Sequence, residues 1–268
     1  MAAGTGAAAP GGDAMGGIEI LGMPLGVLAL IALAGVGTGI VGYLTGLASL
    51  VSYPVLLAAG LSPVAANVSN TLGLVGVGVG STARAMRTVT GGRRRTLAAQ
   101  LVVAAVGGGL GATVLLVAGE SSFTAIVPWL IVLASVLLLL SPRISRLRGD
   151  APNPVVYWIG LFLVSCYGGY FGAGAGVMYL ALTLIASTEL FTRSMVMKSL
   201  LLGVSNLVAS LIFIGFGPVN WAAAIALGLG CVVGGNFGPV IQRLIPEPVL
   251  RAVVAGAGFI LAAWLWLR

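Results

Sequence analysis

The polar side chains of this sequence that could do chemistry lie inside apolar runs, and their types suit binding an anion better than acid–base catalysis. The run beginning at Leu190 carries Arg193 near its start and Lys198 further in. At ~1.5 Å per residue Lys198 lies ~12 Å along a helix from Leu190, towards the middle of a ~30 Å hydrocarbon core. A lysine at that depth is costly unless something anionic or polar meets it. Ser194 (four residues before), Leu201 (three after) and Ser205 (seven after) share its helical face, which therefore reads Ser-Lys-Leu-Ser. Asn206 sits deeper on the same helix, about 80° round from the lysine. The plainer readings are that Lys198 snorkels to the interface or pairs with Glu189, and that Arg193 snorkels.

A second polar stretch, Asn67-Val68-Ser69-Asn70-Thr71, lies inside the run from Pro63. Asn67, Asn70 and Thr71 offer amide and hydroxyl groups that suit either an anion or a neighbouring helix, since polar groups in hydrocarbon need partners. Glycines complete the candidate site. Gly42 and Gly46 form one group, and Gly168, Gly169, Gly172, Gly174 and Gly176 form another. Such clusters allow a helix to break and present backbone N–H groups to an anion; close helix packing is the competing explanation. The GAGAG form is not a dinucleotide fingerprint, because no strand–helix unit surrounds it.

Catalysis finds little support. The chain has no histidine, no aspartate in an apolar run and no carboxylate pair suited to acid–base work. A Ser194–Lys198 dyad is the nearest approach to a nucleophile. Cys166 and Cys231 read as small buried core residues, so neither a metal site nor a cofactor is expected.

The elements that must position these residues are transmembrane helices. The sequence is 59% hydrophobic and only 7% charged, with a mean hydropathy of +1.13, against roughly 25% charged residues in soluble domains. The net charge of +7 does not imply nucleic acid, because the arginines cluster at the ends of apolar runs. The expected partners are the lipid bilayer and a small anionic substrate, with a homo-oligomer left open. Apolar runs span Leu21–Tyr43, Leu47–Gly60, Pro63–Ala83, Leu97–Ala118 and Phe123–Leu140, then Val155–Phe171, Ala173–Ala186, Leu190–Phe213, Trp221–Ile241 and Val249–Leu267. The runs from Leu47 and Ala173 are too short to cross a bilayer, and Pro54 and Pro63 bracket the first of them. The spacing thus predicts an all-α polytopic membrane protein with about eight full transmembrane helices and two short or broken segments. The Gly/Ala-rich residues 1–20 lack the basic region of a signal peptide and read as a disordered tail.

The runs repeat. Gly42-Tyr43 matches Gly169-Tyr170 at an offset of 169 − 42 = 127, which also pairs Gly107-Gly108 with Gly234-Gly235, Gly111 with Gly238 and Glu120 with Glu247. This predicts repeats over residues 21–148 and 149–268 within one membrane domain. The basic loop changes place between them. Arg84, Arg87, Arg93, Arg94 and Arg95 follow the third run, where the second repeat has the uncharged GFGPVN, while Glu247 but not Glu120 is flanked by arginines, Arg243 and Arg251. Opposite orientations follow from the positive-inside rule. Arg143, Arg146, Arg148 and Arg193 then also lie on the cytoplasmic side, with Arg268 and both termini outside. If each broken pair crossed only once, the repeats would instead be parallel.

The doubled pattern of a glycine-rich broken helix, the corner LSPVAANVSNT, an arginine loop, and GGGLGA before a last helix resembles the sulfite exporter TauE/SafE family, from about Leu25 to Trp266. The resemblance implies a polytopic inner-membrane permease for small anions, chiefly sulfur oxyanions and organosulfonates. The family's glycine segment, often G-x-G-G-G, stands as GAGAG at Gly172–Gly176 and has become Leu44-Thr45-Gly46-Leu47-Ala48-Ser49 in the first repeat. The expected function is secondary transport of a small anion by alternating access at the repeat interface. An anion channel with the same lining and a non-transporting scaffold are the alternatives.

Overall fold

A computed structural model describes residues 19–90, 94–144, 152–189, 191–241 and 247–267. Nearly all of them are helical: α1 (Leu25–Thr45), α2 (Ser49–Ala58), α3 (Pro63–Thr90), α4 (Arg94–Ile144), α5 (Pro154–Tyr170), α6 (Ala175–Ala186), α7 (Phe191–Phe216), α8 (Trp221–Ile241) and α9 (Glu247–Leu267). A small antiparallel hairpin, β1 (Glu19–Ile20) with β2 (Met23–Pro24), precedes them. Its turn takes left-handed backbone at Leu21 and Gly22. Glu19 and Ile20, expected in a disordered tail, are therefore paired, and the first helix starts at Leu25 rather than Leu21; residues 1–18 lie outside the described residues.

Among the described residues four helical stretches are long and apolar enough to cross a membrane: Leu25–Thr45, Arg94–Arg143, Arg193–Phe216 and Trp221–Gly238. Helix α4 has 51 residues, more than twice the ~20 that a single crossing needs. It is broken at Gly119, whose φ of 77° and ψ of 172° leave the helical region. The two legs, 94–118 and 120–144, match separate apolar runs of the sequence. Only glycine adopts that backbone without strain, so the corner needs no loop.

Helix ends follow local chemistry. Asn153 caps α5, its Oδ1 accepting from the Val156 N–H at 3.1 Å, with Pro154 at the first helical position. Helix α1 ends on Gly46 in the left-handed conformation, with its N–H donating to the Gly42 carbonyl at 2.9 Å. Helix α5 ends at Tyr170, and left-handed Gly172 and Gly174 lead into α6, so the glycine cluster breaks the chain as its composition predicts. Pro54 departs from expectation: it lies inside α2 rather than bracketing it.

Two packing groups share the core. Helices α1 and α3 pack on α8, while α5 and α7 pack on the first leg of α4; the second leg packs on α9. Many crossings have no side chain between the backbones. A Cβ on Gly39 would fall 2.5 Å from the Gly235 nitrogen, and one on Gly169 would fall 2.0 Å from the Gly108 carbonyl oxygen. Small residues let apolar helices approach this closely where no hydrophobic force acts between helix and lipid. Arg94, Arg95 and Arg143 are exposed at the two ends of α4. Arg93, Arg146, Arg148, Arg243 and Arg268 lie outside the described residues, as do the side chains of Arg84, Arg87 and Arg251.

Candidate functional site

The two broken helices meet at the centre of the molecule. The Gly176 N–H donates to the Gly46 carbonyl at 3.3 Å. The contact is backbone against backbone, since a Cβ on Gly46 would fall 2.5 Å from the Gly176 Cα. A cavity beside this crossing is lined by Gly42, Gly46, Gly168 and Gly172, with Ala48 and Ser49 of the α2 entry. Lys198, Ser199, Leu202 and Asn206 of α7 also line it, as do the apolar Leu74 and Val77 of α3. Elbows of small residues leave space that larger side chains would fill.

Lys198 is 1% exposed. Its Nζ donates to the Tyr43 carbonyl at 2.6 Å and lies 3.4 Å from the Gly42 carbonyl, with the Tyr43 ring centroid 5.9 Å away. These carbonyls belong to the last turn of α1, at the negative end of the helix dipole, and the Gly42 carbonyl also accepts from the Gly46 N–H. The ammonium therefore neither snorkels nor pairs with Glu189. Glu189 instead bonds Arg193 across one helical turn, Oε2 to Nη1 at 3.1 Å. The end of a helix thus supplies the polar partner that a lysine at this depth needs. In this arrangement the lysine donates to carbonyls and borders open space, which suits anion binding rather than general-base work on Ser194.

Of the residues singled out in the sequence, Lys198, Asn206, Gly42, Gly46, Gly168 and Gly172 line the cavity. The others lie around it. Ser205 is buried and donates to the Ser165 carbonyl at 3.0 Å, tying α7 to α5. Ser194 is buried and does not border the space. The cavity face of α7 is thus Lys198, Ser199, Leu202 and Asn206, not the Ser-Lys-Leu-Ser face. Because α7 is apolar nearly all round, its sequence carries little information about which side faces a cavity.

The polar stretch of α3 serves chiefly as a joint. Asn67 donates Nδ2 to the Tyr170 carbonyl at 2.8 Å, at the end of α5. Its Oδ1 is buried without a hydrogen-bond partner. Asn70 donates to Ser49 Oγ at 3.2 Å and accepts from Ser52, fixing the start of α2. Thr71 bonds back to the Asn67 carbonyl at 2.9 Å. Gly174 caps α6 and abuts Ala134, and the Gly176 N–H is turned to protein rather than to the cavity. Ser49 and Ser199 line the cavity without having been singled out. Adjacency to Lys198 was the one available signal for Ser199, and Ser49 lies within the altered glycine segment of the first repeat.

The family model for "Sulfite exporter TauE/SafE" matches residues 31–265. A probable membrane transporter protein, ORF9 of Sinorhizobium sp, is 27% identical over 216 residues, covering 79% of this chain and 82% of that protein. The probable membrane transporter protein YfcA of Escherichia coli strain K12 is 26% identical over 248 residues, covering 90% of this chain and 89% of that protein. No solved structure matches. The relatives are covered over most of their length, so the similarity extends over most of the helical body.

Proposed function

The chain belongs to the sulfite exporter TauE/SafE family, and from that premise we propose that it is a secondary transporter of a small anion, a sulfur oxyanion or organosulfonate. One observation carries the anion reading: a buried ammonium borders a cavity at the meeting point of two broken helices. Transporters commonly bind substrate near the midplane, between discontinuous helices. Lys198 supplies the charge, Ser49, Ser199 and Asn206 the further polar contacts, and Gly46 and Gly172 the room. Ser194, Ser205, Asn67, Asn70, Thr71, Gly174 and Gly176 hold the surrounding frame.

Alternating access acts here between inverted repeats, 21–148 and 149–268. Reciprocal packing supports the division into two repeats. At the offset of 127, α1 and α3 correspond to α5 and α7, and α8 corresponds to the first leg of α4. The contacts of α8 with α1 and α3 are thus mirrored by those of the first leg of α4 with α5 and α7. The chain sits in the cell membrane with both termini outside.

Proteoliposomes test the function. Sulfite uptake by the purified protein is expected to saturate and to accelerate with sulfite on the trans side. Sulfate, thiosulfate and small sulfonates compete according to fit. Uptake no faster than in empty liposomes for all four would overturn the substrate class, and a non-saturating current would make the protein a channel.

A further inference from the structure

Two side chains reach from one packing group to the C-terminal end of a broken helix in the other. Lys198 of α7 donates to the Tyr43 carbonyl of α1 at 2.6 Å, and Asn67 of α3 donates to the Tyr170 carbonyl of α5 at 2.8 Å. The acceptors are equivalent positions, since 170 − 43 = 127.

The two bonds differ in charge and in surroundings. The Lys198 bond carries a full positive charge and borders the cavity, which Gly42 and Gly46 also line. The Asn67 bond is neutral, and Asn67 does not line the cavity. A helix C-terminus presents only about half an elementary negative charge. A ligand bringing a whole negative charge into a poorly solvated space therefore competes for the ammonium. It has no comparable hold on the Asn67 amide.

We infer that Lys198 is a latch on the α1–α2 elbow, held by the Tyr43 carbonyl and released by an entering anion, while Asn67 keeps the α5–α6 elbow pinned. This rests on the anion reading of the cavity. Release leaves the Tyr43 carbonyl without this donor and loosens the left-handed turn at Gly46, whose N–H still donates to the Gly42 carbonyl. The hydrogen bond from the Gly176 N–H to the Gly46 carbonyl then remains as the tie between the elbows. The two halves do not move equally: the α1–α2 elbow is the moving member.

Amide hydrogen exchange on the full-length purified protein tests the latch, comparing residues 44–49 with 171–176, with sulfite as the probe and calorimetry to report its binding. In the wild type, sulfite is expected to speed exchange at 44–49 about tenfold, as the loss of a charge-assisted hydrogen bond implies, and to leave 171–176 unchanged. Lys198→Met should show the faster exchange at 44–49 without sulfite and no further change with it. Lys198→Arg, which keeps a charged donor, should stay protected without ligand. If Lys198→Met does not fold, Lys198→Leu takes its place, having no donor. Protection at 44–49 in the sulfite-free Met or Leu variant overturns the latch, whether or not sulfite binds. Equal deprotection of both elbows by bound sulfite overturns the asymmetry. Absence of sulfite binding to wild type, with the elbow still loosened by Lys198→Met, overturns the anion trigger and the substrate reading while the tie itself stands.

Discussion

Replacing Lys198 by Met deletes the ammonium that borders the cavity. Loss of a buried charged partner is expected to weaken sulfite binding by about 2 kcal/mol or more, roughly 30-fold, measured by calorimetry. Stability should change much less. The variant leaves the Tyr43 carbonyl short of a donor, which costs about 1–3 kcal/mol, but also removes a buried charge. Lys198→Arg should bind sulfite more weakly than wild type, because a planar fork does not replace a compact point charge. Asn67→Leu is expected to lower the thermal midpoint by breaking the bond to Tyr170, at about 1–3 kcal/mol, while changing sulfite affinity less than Lys198→Met. That the lysine is buried was legible from its depth in an apolar run. Its partner was not, because the acceptor is a backbone carbonyl 155 residues away and carbonyls leave no mark in a sequence. Ser194 and Ser205 were assigned to the site by helical spacing from Lys198, and that arithmetic fixes which residues share a face but not which face meets open space.

Glycine governs the elements. Gly46→Ala would place a Cβ 2.5 Å from the Gly176 Cα and ask alanine to hold a φ of 77°. Gly176→Ala meets the same contact from the other side, at 2.4 Å from the Gly46 Cα, with no left-handed requirement. Both are expected to destabilise by about 1–3 kcal/mol, the usual penalty of overpacking, and Gly46→Ala by more, through added backbone strain. Thermal unfolding in detergent measures both, and equal midpoints would remove the strain argument. Helix boundaries could be read closely from apolar run lengths, and both elbows could be read from glycine clusters. The β1–β2 hairpin was missed because strands of two residues leave no periodicity. Pro54 was misplaced because a ten-residue helix holds it in its interior, where proline forfeits only one backbone donor.

At the scale of the whole molecule, orientation is the open prediction. In intact cells a cysteine near Gly217 should be labelled by an impermeant reagent, and one near Arg94 should be protected, in a background free of Cys166 and Cys231. Labelling near Arg94 alone would reverse the arrangement, and protection at both positions would favour parallel repeats. Membrane class was plain from composition, whereas the reciprocal packing of α8 and the first leg of α4 was not, since pairing between distant helices depends on which glycine ridges meet. Those ridges have a genetic consequence. Every single-base missense change in a glycine codon adds a side chain, so no conservative missense neighbour exists for Gly39, Gly108, Gly169 or Gly235. The centre of this protein is therefore exposed to point mutation in a way that its leucine- and valine-covered lipid face is not. A map of tolerated substitutions should trace the helix crossings as a continuous seam of intolerance through an otherwise permissive chain.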